Sequence, residues 1–168
     1  RLKKAKKVNK IIVACTNSSR DKQIIKICKK LKINVFSGST NNVLKRFFDV
    51  ATKYKLKNII RITADCPLID PVILDKMISS FEEKKVDYIS NISPPTFPDG
   101  LDIEIFNYKS LYIANREAKS IFDKEHVTPY IKRSKLFRKY NYKFYEDYSF
   151  LRLTLDEEND HKVLTQIF

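Results

Sequence analysis

At 168 residues, 43% hydrophobic and 12% aromatic, the chain has the length and apolar content for one domain with a real core, which excludes a disordered segment. No apolar run approaches the ~20 residues of a membrane span, and the basic opening from Arg1 to Lys10 leads only into Ile11 to Cys15, too short for a secretory leader. The formal net charge of +13 suits anionic partners, but Lys is spread along the whole chain, so a solvated basic surface that also favours phosphorylated ligands is preferred over a nucleic-acid footprint.

In chain order, Lys10 to Cys15 reads as a buried strand closed by Thr16-Asn17-Ser18-Ser19. Asp21 to Leu31 places Ile24, Ile25, Ile27, Cys28 and Leu31 on one helical face. Ile33 to Phe36 is a second strand, Asn41 to Tyr54 a helix striped by Val43, Leu44, Phe47, Phe48, Ala51 and Tyr54, and Asn58 to Thr63 a third strand. Asp70-Pro71 supplies an N-cap and a first-turn Pro for a helix with Ile73, Met77, Ile78 and Phe81 inward. Asp87 to Asn91 is a fourth strand, Pro94 to Gly100 an irregular loop, and Asp102 to Phe106 a further strand. Helices are expected over Tyr108 to Ala118 and Glu125 to Arg133. Phe137 to Tyr145 alternates weakly, Phe150 to Leu155 reads as a strand, and a last helix carries Val163, Leu164, Ile167 and Phe168. The β-α-β-α-β-α-β opening implies an α/β fold with a mostly parallel sheet, helices on both faces, and one domain over residues 1–168. Cys15, Cys28 and Cys66 form no CxxC pair, so reduced thiols and a cytoplasmic location are expected, with Cys15 and Cys28 in the core.

One echo stands out. Arg61-Ile62-Thr63-Ala64-Asp65 and Arg152-Leu153-Thr154-Leu155-Asp156 both read Arg-aliphatic-Thr-x-Asp, each ending a strand in a carboxylate. Ligands in open parallel sheets sit beyond the carboxyl ends of strands. Two carboxylates converging there would hold Mg²⁺; on spacing alone, ordinary strand-end turns or caps fit equally well. Asp99-Gly100-Leu101-Asp102-Ile103-Glu104 concentrates three carboxylates, and Gly100 suggests positive φ or a close approach, although a plain turn into a strand is the simpler reading. Glu125-His126 could bind a hydroxyl or act as a base, though a His at a helix start is more often a surface or capping group.

Together these segments resemble the spore-coat polysaccharide biosynthesis protein F family, cytidylyltransferases related to the synthetases of CMP-linked Kdo and sialic acids. Thr63-Ala64-Asp65-Cys66-Pro67-Leu68-Ile69-Asp70-Pro71 resembles its Thr-Gly-Asp-Cys-Pro-Leu-Ile-Asp-Pro signature. Asn42-Val43-Leu44-Lys45-Arg46-Phe47, Pro98 to Glu104, Glu125-His126-Val127-Thr128-Pro129-Tyr130, and Arg152 to Asp156 with Asp160 are similar to four further family motifs in the same order. The resemblance implies a three-layer αβα, Rossmann-like nucleotide-diphospho-sugar transferase fold. It implies CTP and a sugar, often acidic, as substrates, CMP-sugar and pyrophosphate as products, and a place in surface polysaccharide biosynthesis. By the same match Asp65 and Asp156 are the catalytic Mg²⁺ ligands. Gly100, Asp102, Glu104, Glu125 and His126 line the sugar side, and Asn42, Arg46 and Thr63 the nucleotide side. Related synthetases are often dimers, so a homodimer is an assembly the resemblance allows, although residue order alone does not set the oligomeric state.

Family members open with a strand and a loop of the type Ala-Arg-x-x-Ser-x-Arg-Leu-Pro-x-Lys, to which nothing here corresponds. The chain is therefore expected to lack that strand and loop, to bind CTP poorly alone, and to expose an unpaired sheet edge open to self-association. Ala64 replaces the usual Gly, which narrows the backbone approach to a phosphate. Two alternatives remain. One is a non-catalytic module of this fold. The other is a basic nucleic-acid binder using Lys132, Arg133, Lys135, Arg138, Lys139 and Lys143, interleaved with Tyr140, Tyr142 and Phe144.

Overall fold

Strands and helices alternate through the first half of the chain in the computed structural model, which describes residues 1–168. The chain divides into two compact units: residues 9–59 with 106–137, and residues 1–8 with 60–105 and 138–168.

In the 9–59/106–137 unit, β1 (Ile12–Thr16) and β2 (Asn34–Gly38) pair in parallel, with Ile12 opposite Asn34 and Thr16 opposite Gly38. A parallel pair needs a crossover, supplied here by α1 (Lys22–Lys30). Cys28 is the buried residue of α1, whereas Ile24, Ile27 and Leu31 of the expected apolar stripe stay exposed. The stripe of α2 (Val43–Lys53) is better covered: Leu44, Val50 and Ala51 are buried, and the helix packs on α4 (Tyr108–Glu117), with Phe48 stacked on Tyr108 at 6.0 Å. Asn107 caps α4 by accepting the Ser110 amide at 2.8 Å.

The single helix expected over Glu125 to Arg133 is two. Ser120 caps α5 (Ile121–His126), Val127 turns to φ 71°, and α6 (Pro129–Arg133) restarts with Pro129 in its first turn. Pro has no N–H for a preceding turn and clashes with its backbone, so the chain must break before it. Buried Asp123 accepts from both Nη atoms of Arg133, which ties the two short helices together.

A second sheet runs β3-β5-β4-β6, from β3 (Asn58–Arg61), β4 (Tyr88–Ser90), β5 (Glu104–Asn107) and β6 (Lys139–Asn141). β4 and β6 are parallel, with Tyr88 opposite Lys139. The mostly parallel sheet inferred from element order is thus divided into two hydrogen-bonded sheets, because β1 pairs only with β2. In the unit of residues 1–8, 60–105 and 138–168, the buried face of α3 (Pro71–Lys84), made of Leu74, Met77, Ile78 and Phe81, joins Ile89, Ile103, Ile105, Cys66 and Ile69 in one core. Asp70 starts α3 as anticipated, accepting the Val72 and Ile73 amides at 2.7 and 3.0 Å. The first residues are anchored to the same helix through the Lys6 and Lys7 amides, which donate to Asp75 at 2.8 and 2.9 Å.

Phe137 to Tyr145 yields only the three residues of β6. Phe150 to Leu155, expected as a strand, is an extended arm with a single bridge, Asp99 to Arg152. Its hydrogen bonds go first to Asp99, then to Asp65, so no one neighbour offers it a continuous ladder. The chain ends in α7 (Glu158–Ile167). With only two glycines available, Lys32, Lys55 and Lys85 take the left-handed positions after α1, α2 and α3 that Gly usually fills. No helix is long and apolar enough to cross a membrane.

Candidate active site

Three segments meet through their backbones in the unit that contains β4 and α3. The Leu153 amide donates to the Asp99 carbonyl at 2.7 Å, the Asp99 amide to the Leu151 carbonyl at 2.9 Å, and the Leu155 amide to the Asp65 carbonyl at 2.8 Å. The loop after β3, the loop before β5 and the 150–155 arm are thereby joined. They bring together Asp65, Asp99, Gly100, Asp102, Arg152 and Asp156, and the halves of the Arg-aliphatic-Thr-x-Asp echo become backbone neighbours.

Gly100 explains itself. Its φ is +99°, and a Cβ there would lie 2.5 Å from the Leu153 carbonyl carbon and 2.7 Å from the Thr154 nitrogen. The close approach anticipated for a ligand is made by the protein's own arm.

Asp102 is half-buried. Burial, followed by the Asp99, Glu104 and Asp65 carboxylates, pushes its pKa up to about 6, while a hydrogen bond from the Gly100 amide opposes the rise. Cys66 sits beneath, its thiol 3.6 Å from Asp65 Oδ1 and 3.3 Å from the Thr63 hydroxyl. Burial raises that thiol to about 11, so it is a packing residue rather than a nucleophile. A folded-state pKa of about 6 against an ordinary 3.8 means the native state holds the Asp102 proton more tightly between those values. Its contribution to stability is therefore lost as pH rises through 6. Asp102→Asn should melt higher than the parent at pH 7.5, and the gap should close as the pH is lowered toward 4. Melting curves across that range check it.

Glu104, expected on the sugar side, is 1% exposed and engaged internally: Oε2 accepts from Arg61 Nη1 and Oε1 from the Tyr88 hydroxyl, each at 2.6 Å. In the linear sequence Arg61 is only the head of the Arg-aliphatic-Thr-x-Asp echo. The partner that explains it lies 43 residues away. The second Arg of the echo behaves alike: Arg152 reaches Asp160 at 2.9 Å, Asp156 at 3.1 Å and Asp99 at 3.8 Å. Asp160 Oδ2 also accepts the amides of Asp156 and Glu157, both at 3.0 Å. These donors hold its carboxyl well below the usual carboxylate range, Arg152 being the largest cause.

The remaining expected site residues belong to the other unit. Asn42 caps α2 by accepting the Lys45 amide at 2.9 Å. In the first turn of that helix, Arg46 Nη1 donates to the Ser39 carbonyl at 2.7 Å and Nε is buried without a partner. Burial lowers the Arg46 pKa, with Cys15 and Asp21 opposing. Asp21 is tied to the end of β1, accepting the Thr16 amide at 2.6 Å and hydroxyl at 2.8 Å. Glu125 and His126 are exposed at the C-terminal end of α5, not at a helix start, with the imidazole 4.5 Å from the Phe122 ring.

No group of three or more His, Cys, Asp or Glu side chains forms a closed metal cage. Asp65 and Asp156 are hard oxygen donors, the ligand type Mg²⁺ takes alongside water and phosphate, and the Leu155–Asp65 backbone hydrogen bond makes their segments neighbours.

Known proteins agree with this architecture. A protein of Methanocaldococcus jannaschii is 36% identical over 170 residues, covering 99% of this chain and 69% of that protein. Spore coat polysaccharide biosynthesis protein SpsF of Bacillus subtilis is 30% identical over 164 residues, covering 94% and 66%. The chain therefore spans about two thirds of the length of these relatives. The structure of a cytidylyltransferase from Leptospira borgpetersenii superposes with a TM-score of 0.95 at 33% identity, over 100% of this chain and 73% of that one. CMP:2-keto-3-deoxy-manno-octonic acid synthetase complexed with CTP superposes at 0.63 with 10% identity, over 99% and 82%, a likeness of fold. Residues 1–161 match the family described as Cytidylyltransferase. With the α/β architecture and the joined acidic motifs already in view, that match over nearly the whole chain makes it a member of the cytidylyltransferase family, the nucleotidyltransferases of this fold.

Proposed function

We propose that this chain carries CTP-dependent cytidylyl transfer to a sugar, yielding a CMP-sugar and pyrophosphate. The observation that carries the reading is the 2.8 Å hydrogen bond from the Leu155 amide to the Asp65 carbonyl, which sets the two aspartate motifs side by side. Asp65 and Asp156 are the residues that would hold Mg²⁺. When bound, the metal would supply charge neutralisation on the reacting phosphates.

A sugar hydroxyl oxygen forms a bond to the α-phosphorus, its proton passes to solvent, and pyrophosphate leaves with the bridging oxygen. Positioning supplies most of the rate in such transfers. The chain's own contribution is to hold the acidic loops still. Gly100 lets the 99–102 loop lie against the 153–154 backbone, and Glu104, bound to Arg61 and Tyr88, pins the start of β5. Asp102, Glu125 and His126 are assigned to sugar hydroxyls, and Asn42, Arg46 and Thr63 to the nucleotide. The family resemblance makes an acidic sugar the expected acceptor, and a basic surface is compatible with anionic substrates. A cytoplasmic location fits three free, buried thiols.

Pyrophosphate release tests the reading. The protein carrying this chain is supplied with CTP, Mg²⁺ and a panel of acidic and neutral sugars. Turnover is expected with an acidic sugar, and Asp65→Ala should lower it by about 100-fold or more. CTP binding with no release on any sugar would instead favour a non-catalytic module.

A further inference from the structure

We propose that Arg152, anchored by Asp160, is a positioning residue that presents the Asp156 carboxylate to a divalent cation. The inference rests on the reading of Asp65 and Asp156 as the metal-holding pair.

Asp160 grips Arg152 with both oxygens: Oδ1 accepts from Nε at 3.2 Å and Oδ2 from Nη2 at 2.9 Å. The same Nη2 donates to Asp156 Oδ2 at 3.1 Å, and Nη1 lies 3.8 Å from Asp99 Oδ2. One guanidinium therefore spans three carboxylates, with its tightest hold on Asp160. An isolated exposed Arg–Asp pair would be floppy and worth little. Here the anchor is fixed independently. The Asp160 side chain is 13% exposed, stands in the first turn of α7, and accepts the backbone amides of Asp156 and Glu157 at 3.0 Å each. Asp160 thus holds the backbone of Asp156 directly and its side chain through Arg152.

Charge decides the sign of the effect. A lone Arg against Asp156 would repel an incoming cation. The Arg152–Asp160 pair sums to zero, so it orients Asp156 without adding positive charge. Arg152 engages Oδ2 of Asp156, and Oδ1 is the oxygen directed to the metal in this proposal. Hydrogen-bonded ligating carboxylates of this kind are a general feature of metal sites, and loss of the supporting partner typically weakens metal affinity ~10- to 100-fold. The spacing explains itself as well. Four residues from Asp156 to Asp160 let the second carboxylate cap the helix that follows and reach back to the loop.

The test uses Mn²⁺ alone, titrated into the 168-residue chain, with free Mn²⁺ read by electron paramagnetic resonance and folding checked by melting curves. Arg152→Gln, at a 46% exposed side chain, should weaken Mn²⁺ binding by about tenfold. Arg152→Lys keeps the charge but loses the fork, and should recover only part of the loss. Asp160→Asn should weaken binding at least as much, since it leaves Arg152 uncompensated. The double variant should equal Arg152→Gln within about twofold rather than sum the losses, as expected for residues acting as one unit. Unchanged or tighter binding in Arg152→Gln, with Asp65→Asn and Asp156→Asn both abolishing it, overturns the clamp and leaves the metal reading standing. No Mn²⁺ binding by the parent, or binding indifferent to Asp65→Asn, overturns both.

Discussion

Gly100→Ala should cost about 3 kcal/mol or more and lower the melting temperature by about 6–12 °C. Two effects add. The residue sits at φ +99°, where an L side chain is strained. The new Cβ would also lie 2.5, 2.6 and 2.7 Å from the Leu153 carbonyl carbon, its oxygen and the Thr154 nitrogen. Those are backbone atoms of an arm already hydrogen-bonded to Asp99 and Asp65, so relief requires the arm to detach. Gly38 is the internal control: its φ lies outside the left-handed region, and the atoms nearest its added Cβ are side-chain atoms, the Phe36 ring at 2.9 Å and Arg46 Cγ at 3.0 Å, rather than backbone. Gly38→Ala should therefore be far milder. Thermal melts of both variants compare them directly, and equal losses would remove the steric account.

Glu104→Ala is expected to be comparably severe, with a loss of about 3–5 kcal/mol in urea denaturation. The substitution removes the 2.6 Å partner of Arg61, whose side chain is only 18% exposed, and deletes the acceptor of the buried Tyr88 hydroxyl's 2.6 Å hydrogen bond. The loss measures an uncompensated charge more than the worth of the ion pair. Replacing both charges by apolar residues of similar volume, Arg61→Met with Glu104→Leu, should recover much of the stability lost by the single variant. If the double variant is no more stable than Glu104→Ala, the stranded guanidinium is not the cause.

These two expectations bear on function through one geometry. Gly100 and Glu104 flank Asp102 in sequence, and each holds its end of that short segment against a different partner. Neither needs to touch a substrate to matter. A side chain at Gly100 pushes the 99–102 loop off the 153–154 backbone, and loss of Glu104 releases the start of β5 from Arg61 and Tyr88.

Elements that depend on near neighbours were legible in the linear chain. Asp70-Pro71 announces the start of α3, because a side-chain oxygen satisfies amides two or three residues on; the equivalent cap by Asn42 at α2 came to light only in the structure. The cytidylyltransferase motifs were equally legible, because their residue types recur in order. Elements whose partners are distant were not. Phe150 to Leu155 alternates as a strand does, yet its hydrogen bonds divide between Asp99 and Asp65, and periodicity carries no information about a ladder that changes neighbour midway. Glu125 to Arg133 departs for a local reason instead: it has a helical composition, but Pro129 divides it.

Residue order alone therefore determined most of the helices, the Asp70 cap of α3, the α/β class and the family. Those follow from spacing, capping and motif over a few residues. Tertiary structure decided what the charged groups do. Glu104 turned inward to Arg61 and Tyr88 across separations of 43 and 16 residues, and Arg152 became the centre of a carboxylate network. The physical reason is that a charge's role is set by the partners and water around it once the chain has closed on itself.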